Sequence, residues 1–581
     1  MSGLGLVLSI AKDALAAQRY GMDVTAHNIA NVNTPGYSRQ SPVYEAREPG
    51  PYGGVLLGRG VDTTQVMRAS DQFIENQLMQ EKSNFSSLEQ MENYMQILEG
   101  LFNENSDASI SAMLADYWNL WHDIANNPSG TSERMALYEH SISLTEQFNA
   151  LDTDLTEIKM DLTNAINAGI DDINQITNEI AQLNNQIIGM EASSIANDLR
   201  DKRNILISEL SEYLNVKNFE QDNGSITIVT ARGCILVHGN ESYDLELGGD
   251  NGDRVEWQGS GGTTVDITDY ITNGKLGGWL DIRDEVIVKY KLDLDALAKE
   301  FIWTVNQQHS QGVGLETFSA VTGTYSASDT STALDSCGLS FADRISVGDF
   351  RLWIYDSDGN YDSDATISID ASITSVDDIV SAINAVDPGK ISATIVNDKL
   401  QVNSINGYTF AFSDDTSNVV AVLGINTFFT GATAEGIGVN NKIDSDKNFI
   451  AAAQIDSTGS YATGDNTNAI AIAALQYTYT EIAQWTCDRI NGNTQGSVTA
   501  TIEDYYHSTV GSIGIKSANI SRSKAFNEVM FNKLGEIRDG ISAVSLDEEM
   551  TNLIKFQHAY TAAAKLISIS DEMLTTLLSV K

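Results

Sequence analysis

Ten residues near the C-terminus alternate strictly by four and three: Leu546, Met550, Leu553, Gln557, Tyr560, Ala564, Ile567, Asp571, Leu574 and Leu578. This is the a/d seam of a coiled coil, and its polar members Gln557 and Asp571 set register rather than strength. A helix from Asp547 to Leu578 is roughly 48 Å long at about 1.5 Å per residue. Its apolar stripe is too narrow to hold it in water alone. The other end of the chain offers a second such helix over 4–30. There Leu4, Leu8, Ala11, Leu15, Met22 and Ile29 recur at spacings of three, four or seven, interrupted by Gln18 and Thr25. The natural partners of these two ends are each other and copies of themselves. Before they find a partner they are expected to be largely disordered, because a narrow stripe does not offset the ordering entropy.

Charge divides the chain in the same way. The 581 residues carry 35 basic and 79 acidic side chains, a net of −44. Residues 1–70 hold six basic and five acidic groups, and 516–581 hold eight of each, so the acidity lies wholly between the ends. Near-neutral ends crowd together with little repulsion, whereas the middle repels itself. The acidic balance excludes nucleic-acid and anionic-membrane binding. No run reaches the ~18 apolar residues of a membrane span, and the first residues lack the pattern of a secretory signal peptide.

Proline punctuates little of this sequence. Four of six prolines (Pro35, Pro42, Pro49, Pro51) crowd into one stretch. There the first helix is expected to end, at NVNTPGY, and 38–70 to run extended. Two or three long antiparallel helices are expected over 70–215, reversing at NNPSGTSER around Pro128 and Gly130. From about 216 the hydrophobic period becomes two, and a helical pattern returns near Ile282. Short strands dominate 311–465 (RLWIY, ATISI, ISATIV, KLQV, YTFAF), with one helix, VDDIVSAINAV, and a net charge of −15 from 21 acidic and 6 basic residues. Helical signals resume after GDNTNA at 464–469 and continue to the end, looser at 491–500.

Catalytic chemistry finds no foothold. Walker A, GxGxxG, HExxH and GxSxG patterns are absent, and the seven histidines are scattered. Three distant cysteines, Cys234, Cys337 and Cys487, make neither a disulfide framework nor a zinc site. The series Asp356, Asp358, Asn360, Asp362, Asp364 resembles a calcium loop, yet its glycine stands fourth rather than sixth and position twelve is Ile367. It reads better as a solvated turn between two strands. Glu548 and Glu549 are expected to favour the N-terminus of the last helix. No catalytic, cofactor or metal residues are expected.

Two terminal segments resemble the flagellar axial proteins. HNIANVNTPGYSRQ (His27 to Gln40) is similar to the motif shared by rod, hook and hook-associated proteins. VSLDEEMTNLIKFQHAYTAAAKLISISDEMLTTLL (Val544 to Leu578) resembles the C-terminal motif of the hook-associated branch. Tyr37 with the following SRQ favours that branch, as do GDNTNAIAIAALQ (464–476) and KLGGWLDIRDEVI (275–287).

The resemblance implies a non-enzymatic structural subunit joining hook to filament, extracellular, exported unfolded through the flagellar type III apparatus without a cleaved signal. Its implied partners are copies of itself in a ring, the hook protein on one side, a second junction protein (hook-associated protein 3) on the other, and an export chaperone on the C-terminal helix. The assembly residues would be Leu4, Leu8, Leu15, Met22, Asn28, Ile29, Asn31, Thr34, Pro35, Gly36 and Tyr37, with Leu546, Met550, Leu553, Gln557, Tyr560, Ala564, Ile567, Leu574 and Leu578. The expected fold is multidomain α plus β. It has terminal coiled-coil-type helices (1–60 and 546–581), a long-helix bundle (61–215, 283–312, 464–545), a β-rich part (216–282) and an inserted acidic β-rich domain (313–463). The alternatives are another axial subunit of hook, rod or filament type, or a surface adhesin or enzyme working through 313–463.

Overall fold

The computed structural model describes residues 2–52, 54–102, 109–192, 194–250 and 252–579. Its helices in chain order are α1 (Ser2–Ala30), α2 (Gln72–Leu101), α3 (Ile110–Asn126), α4 (Thr131–Glu191), α5 (Asn197–Tyr213), α6 (Gly274–Asp281), α7 (Ile287–His309), α8 (Val376–Val386), the short α9 (Val419–Val422) and α10 (Asn441–Ser445), α11 (Thr467–Ala474), α12 (Ile502–Ser542) and α13 (Leu546–Ser579). They belong to two compact units, Met1–Asn93 with Leu162–Asp281 and Ala518–Lys581, and Tyr94–Asp161 with Ile282–Ser517.

In the first unit α1 and α13 lie antiparallel along each other. Beside them the strand Gln40–Ala46 pairs with Val61–Arg68, and a small hairpin joins Gly50–Tyr52 to Val55–Leu57. The unit's main core lies under the second half of α4 and under α5 and α6. Ile166, Ile170, Ile173 and Ile180 meet Ile207, Leu210, Leu276 and Leu280 there. Two antiparallel sheets close this core. One has the order 216–220, 226–230, 235–238, 241–242, and the other has 254–258 between 245–248 and 264–266. Asn184 ties helix to sheet. Its Nδ2 donates to the carbonyls of Ile226 and Gly239, and its Oδ1 accepts from Ile226 N–H and Arg203. Arg203 is 1% exposed, and burial lowers its pKa to about 10.

The second unit is built on aromatic rings. Tyr117 of α3 packs edge-on to Phe301 of α7 and to Phe428, Trp118 packs edge-on to Phe301, and Trp121 and Phe429 join the cluster at tilted angles. Its strands form a sheet with 348–355 between 361–369 and 409–413, and another with 399–404 between 320–322 and 391–396. Helix α8 starts on a capping box, Ser375 with Asp378. Helical and strand parts are bonded within this unit. Arg134 donates to the carbonyls of Pro128 and Ile450, and Asn306 both donates to Phe429 C=O and accepts from Phe428 and Phe429 N–H.

The structure departs from the sequence reading in three places. The region 70–215 holds four helices, because α3 and α5 are separate short pieces. Helix returns at Gly274, before Ile282, and a π-helical turn at Ile282–Val286 leads into α7. The stretch read as helix after 469 contains a β-hairpin, Thr480–Thr486 with Thr494–Ala500. Six of the fourteen strand residues are β-branched, and in the connection 487–493 Gly492, at φ +83°, donates its N–H to the Asp488 carbonyl to reverse the chain.

The acidic series at 356–364 spans the turn between two paired strands and the start of the second, Tyr361–Ile369, which holds Asp362 and Asp364. Asp356 Oδ1 accepts from the N–H groups of Asp358 and Asn360, Asp362 pairs with Lys390, and Asp364 lies 3.6 Å from Arg351. No group of three or more metal-ligating side chains occurs among the described residues.

Candidate functional site

The motif that follows α1 and the first turn of α13 meet at one junction, and Asn28 is at its centre. Its side chain is 1% exposed and saturated. Nδ2 donates to the Gln40 carbonyl at 2.9 Å and to Glu549 Oε2 at 3.0 Å; Oδ1 accepts from Tyr37 O–H at 2.8 Å and from Gln40 N–H at 3.0 Å. One carboxamide therefore ties the end of α1 to the returning chain and to the first turn of α13. An asparagine does this because it alone combines two donors and two acceptor sites in so short a side chain.

The chain between is locked locally. Asn31 Nδ2 donates to the His27 carbonyl at 3.0 Å, and Thr34 O–H donates to Asn31 Oδ1 at 3.1 Å. Helix α1 has already stopped at Ala30, and 31–36 run through Thr34 and Pro35 as turns, with Thr34 N–H donating to the Asn31 carbonyl. Gly36 follows at φ +71°, and a Cβ there would come within 2.6 Å of Ile205. Only glycine fits that turn. Tyr37 packs edge-on to His27. Its phenol pKa is pushed well up, first by burial and then by Asp198, Asp201 and Glu549.

The end of the motif anchors elsewhere. Ser38 gives both N–H and O–H to Asp201, each at 2.9 Å, and Asp201 also pairs with Arg68 at 3.0 Å; both charged groups are nearly buried. Gln40 Nε2 donates to Asp198 at 2.7 Å. Arg39 N–H donates to the Ser542 carbonyl at 2.8 Å, and its guanidinium meets Glu548. Periodicity had no means of finding Asp198, Asp201 or Arg68, which are distant in sequence. In the sequence Glu549 offers only a helix-end effect. Its place is buried, 3% exposed, on Asn28.

The helix pair uses small residues where it is closest. Ala11, Ala17 and Gly21 of α1 and Ala563 and Ser570 of α13 are buried. A Cβ at Gly21 would come within 2.9 Å of the Phe556 ring and 2.6 Å of the Tyr44 hydroxyl. Of the predicted seam, Leu553, Ile567 and Leu574 are half-buried on the α13 face that includes Phe556, Ala563 and Ser570. Leu546, Met550, Gln557, Tyr560, Ala564 and Leu578 are exposed, with Leu546 at 47%, Met550 at 57% and Leu578 at 72%. A 3.5-residue seam drifts about 20° per heptad on a 3.6-residue helix, so only part of it meets one straight partner. On α1, Leu4, Leu8, Leu15, Met22 and Ile29 are half-buried; Thr34, Pro35 and Gly36 beyond it are exposed.

Residues 95–322 match the model of the flagellar hook-associated protein FlgK helical domain. Residues 540–580 match the flagellar basal body rod FlgEFG protein C-terminal model, and 8–37 match the flagella basal body rod protein model. The chain is 27% identical to flagellar hook-associated protein 1 of Escherichia coli, over 99% of this chain and 100% of the relative. It is 25% identical to the Bacillus subtilis protein of the same name, over 99% and 98%. The flagellar hook junction protein FlgK of Burkholderia pseudomallei shares the fold, with a TM-score of 0.52 at 18% identity over 81% of this chain and all of that one. Over nearly its whole length the chain is thus similar to flagellar hook-associated protein 1.

Proposed function

We propose that this chain is a structural axial subunit of the bacterial flagellum, joining hook to filament through its paired terminal helices. The observation that carries this reading is the surface left on the pair. The helices bury small residues against each other and turn large apolar ones outward: Val7 and Tyr20 on α1, and Met550, Ile554, Tyr560, Leu566, Met573 and Leu577 on α13. A monomer gains nothing from such a face, whereas a packed tube covers it. The near-neutral ends fit the same arrangement, since copies brought together there repel little.

The relatives support the hook-associated reading over a rod, hook or filament subunit. The terminal segments match models named for rod proteins, and the region 95–322 is what matches the hook-associated model. We assign the chain the partners implied by the family: copies of itself in a ring, hook protein on one side, hook-associated protein 3 on the other, and an export chaperone on α13 beforehand. Export without a cleaved signal and a non-enzymatic role belong to the same proposal.

The test is complementation of a strain that lacks the protein. Ile554→Asp with Leu566→Asp, both on the outward face, should give soluble, folded subunit but hooks without filaments, scored by electron microscopy. Normal filaments on that double variant would overturn the reading.

A further inference from the structure

Beside α2, within the first unit, a groove of about 350 Å³ runs along the strand Val216–Glu220. This strand pairs on one side only, with Ile226–Thr230, and is the edge of its sheet. Four consecutive residues, Val216 to Phe219, line the groove. Side chains alternate between faces along a strand, so four in a row are lined up only by the strand's edge. Gln221 N–H donates to the Ser225 carbonyl just beyond the ladder. By the two-residue alternation of an antiparallel pair, Lys217 and Phe219 bond inward, and Val216, Asn218 and Glu220 turn N–H and C=O outward. Those outward groups have no partner among the described residues. No proline or bulge protects this edge.

The opposite wall has a matching period. Asn76, Gln80 and Asn84 stand at four-residue intervals on α2, about 6 Å apart. An extended chain repeats every two residues at about 6.7 Å. Three carboxamides thus keep step with alternate peptide units of a strand laid between α2 and the edge. Ser83 O–H, 2% exposed, and Asn215 Oδ1 are buried beside the groove and have no hydrogen-bond partner among the described residues. Asn218 reaches Met79 Sδ at 3.7 Å and Gln72 at 3.4 Å, contacts long enough to yield. The volume lies at the small end of ligand sites, ~300–1,000 Å³, room for one short strand and not for a hairpin.

Charge selects the occupant. No carboxylate lines the groove and Lys217 is its one charge, although the unit carries 37 acidic and 21 basic residues. A cationic segment would find no carboxylate in the groove, and an anionic one would approach through a negative field. We propose that this groove binds a single extended, uncharged peptide segment of a partner chain, which adds as a strand to Val216–Glu220 while the α2 carboxamides hold its far edge. The inference stands apart from the helix-pair reading above.

The test is amide hydrogen exchange of the full chain with a neutral probe, acetyl-Thr-Gln-Gly-Ser-Val-Thr-Ala-amide, at millimolar concentration. This is the sequence of the uncharged strand Thr494–Ala500. Exchange across 215–221 should slow at least threefold, and Gln80→Ala with Asn84→Ala should weaken the effect about tenfold. Of two probes N-methylated at alternate residues, at least one should lose binding tenfold. No slowing with the neutral probe, equal binding of both methylated probes, or slowing by maltoheptaose in place of the peptide would overturn the proposal.

Discussion

Asn28 is the residue on which the two chain ends turn. Replacing it with alanine strands the Glu549 carboxylate and the main chain of Gln40 in a buried place, a cost of about 3 kcal/mol. Hydrogen exchange should show the loss as faster opening of α1 and α13, with the main core of the first unit unchanged. Asn28→Asp should be worse, since it sets a second carboxylate against Glu549, and Glu549→Gln should rescue it by supplying the missing donor. His309 makes a separate residue-scale prediction in the second unit. It is fully buried, facing Trp121, Phe428 and Arg134, with Nδ1 to the Asn426 carbonyl and Nε2 accepting from Ala451 N–H. Burial lowers its pKa from 6.5 to about 4. The folded state therefore refuses a proton that the unfolded chain accepts. Stability is fully present above about pH 6.5 and falls as pH drops toward 4, by up to about 3 kcal/mol. Denaturant titrations at pH 7.5 and 4.5 should show the loss, and His309→Asn should remove most of this slope. The histidine was legible only as one of seven scattered residues, because burial is not written in local sequence.

The elements that meet most closely are α1 and α13, and Gly21 sets their approach. Gly21→Ala puts a methyl against the Phe556 ring and the Tyr44 hydroxyl, so the helices must part. The expected cost is about 1–3 kcal/mol, read as a lower melting point of the terminal helices by circular dichroism. Phe556→Leu should relieve it in part, because the displaced ring is the near neighbour. At this scale the heptad alternation announced both helices and their need for partners. It did not tell which stripe meets which partner. Phe556, Ala559 and Ala563 lie off the seam, and they face inward because side-chain size at the closest approach, rather than period, decides rotation. The hairpin at 480–500 was missed for a similar reason. Its threonines and alanines carry little hydrophobic period, and the Asn491-Gly492 turn was the one local signal.

Over the whole molecule the charge is spread unevenly, −16 in the first unit and −28 in the second. Self-association through the ends must work against that repulsion. Raising salt from 0.1 to 1 M shortens the screening length from about 10 to about 3 Å. Association of the full chain, followed by sedimentation, should strengthen at least tenfold over that range; a flat response would show that charge does not oppose it. By itself the sequence determined the helical ends, the stop where NVNTPGY begins, the change of period near 216 and the neutral-ended charge plan. All of these are set by neighbours within a few residues or by simple counts. Only the tertiary structure decided that Glu549 sits buried on Asn28, that Asp198 and Asp201 receive the motif's end, and that Val216–Glu220 is left as an open edge. Each of these joins residues far apart in the chain, and which distant groups meet is fixed by packing of the whole core, for which no local pattern exists.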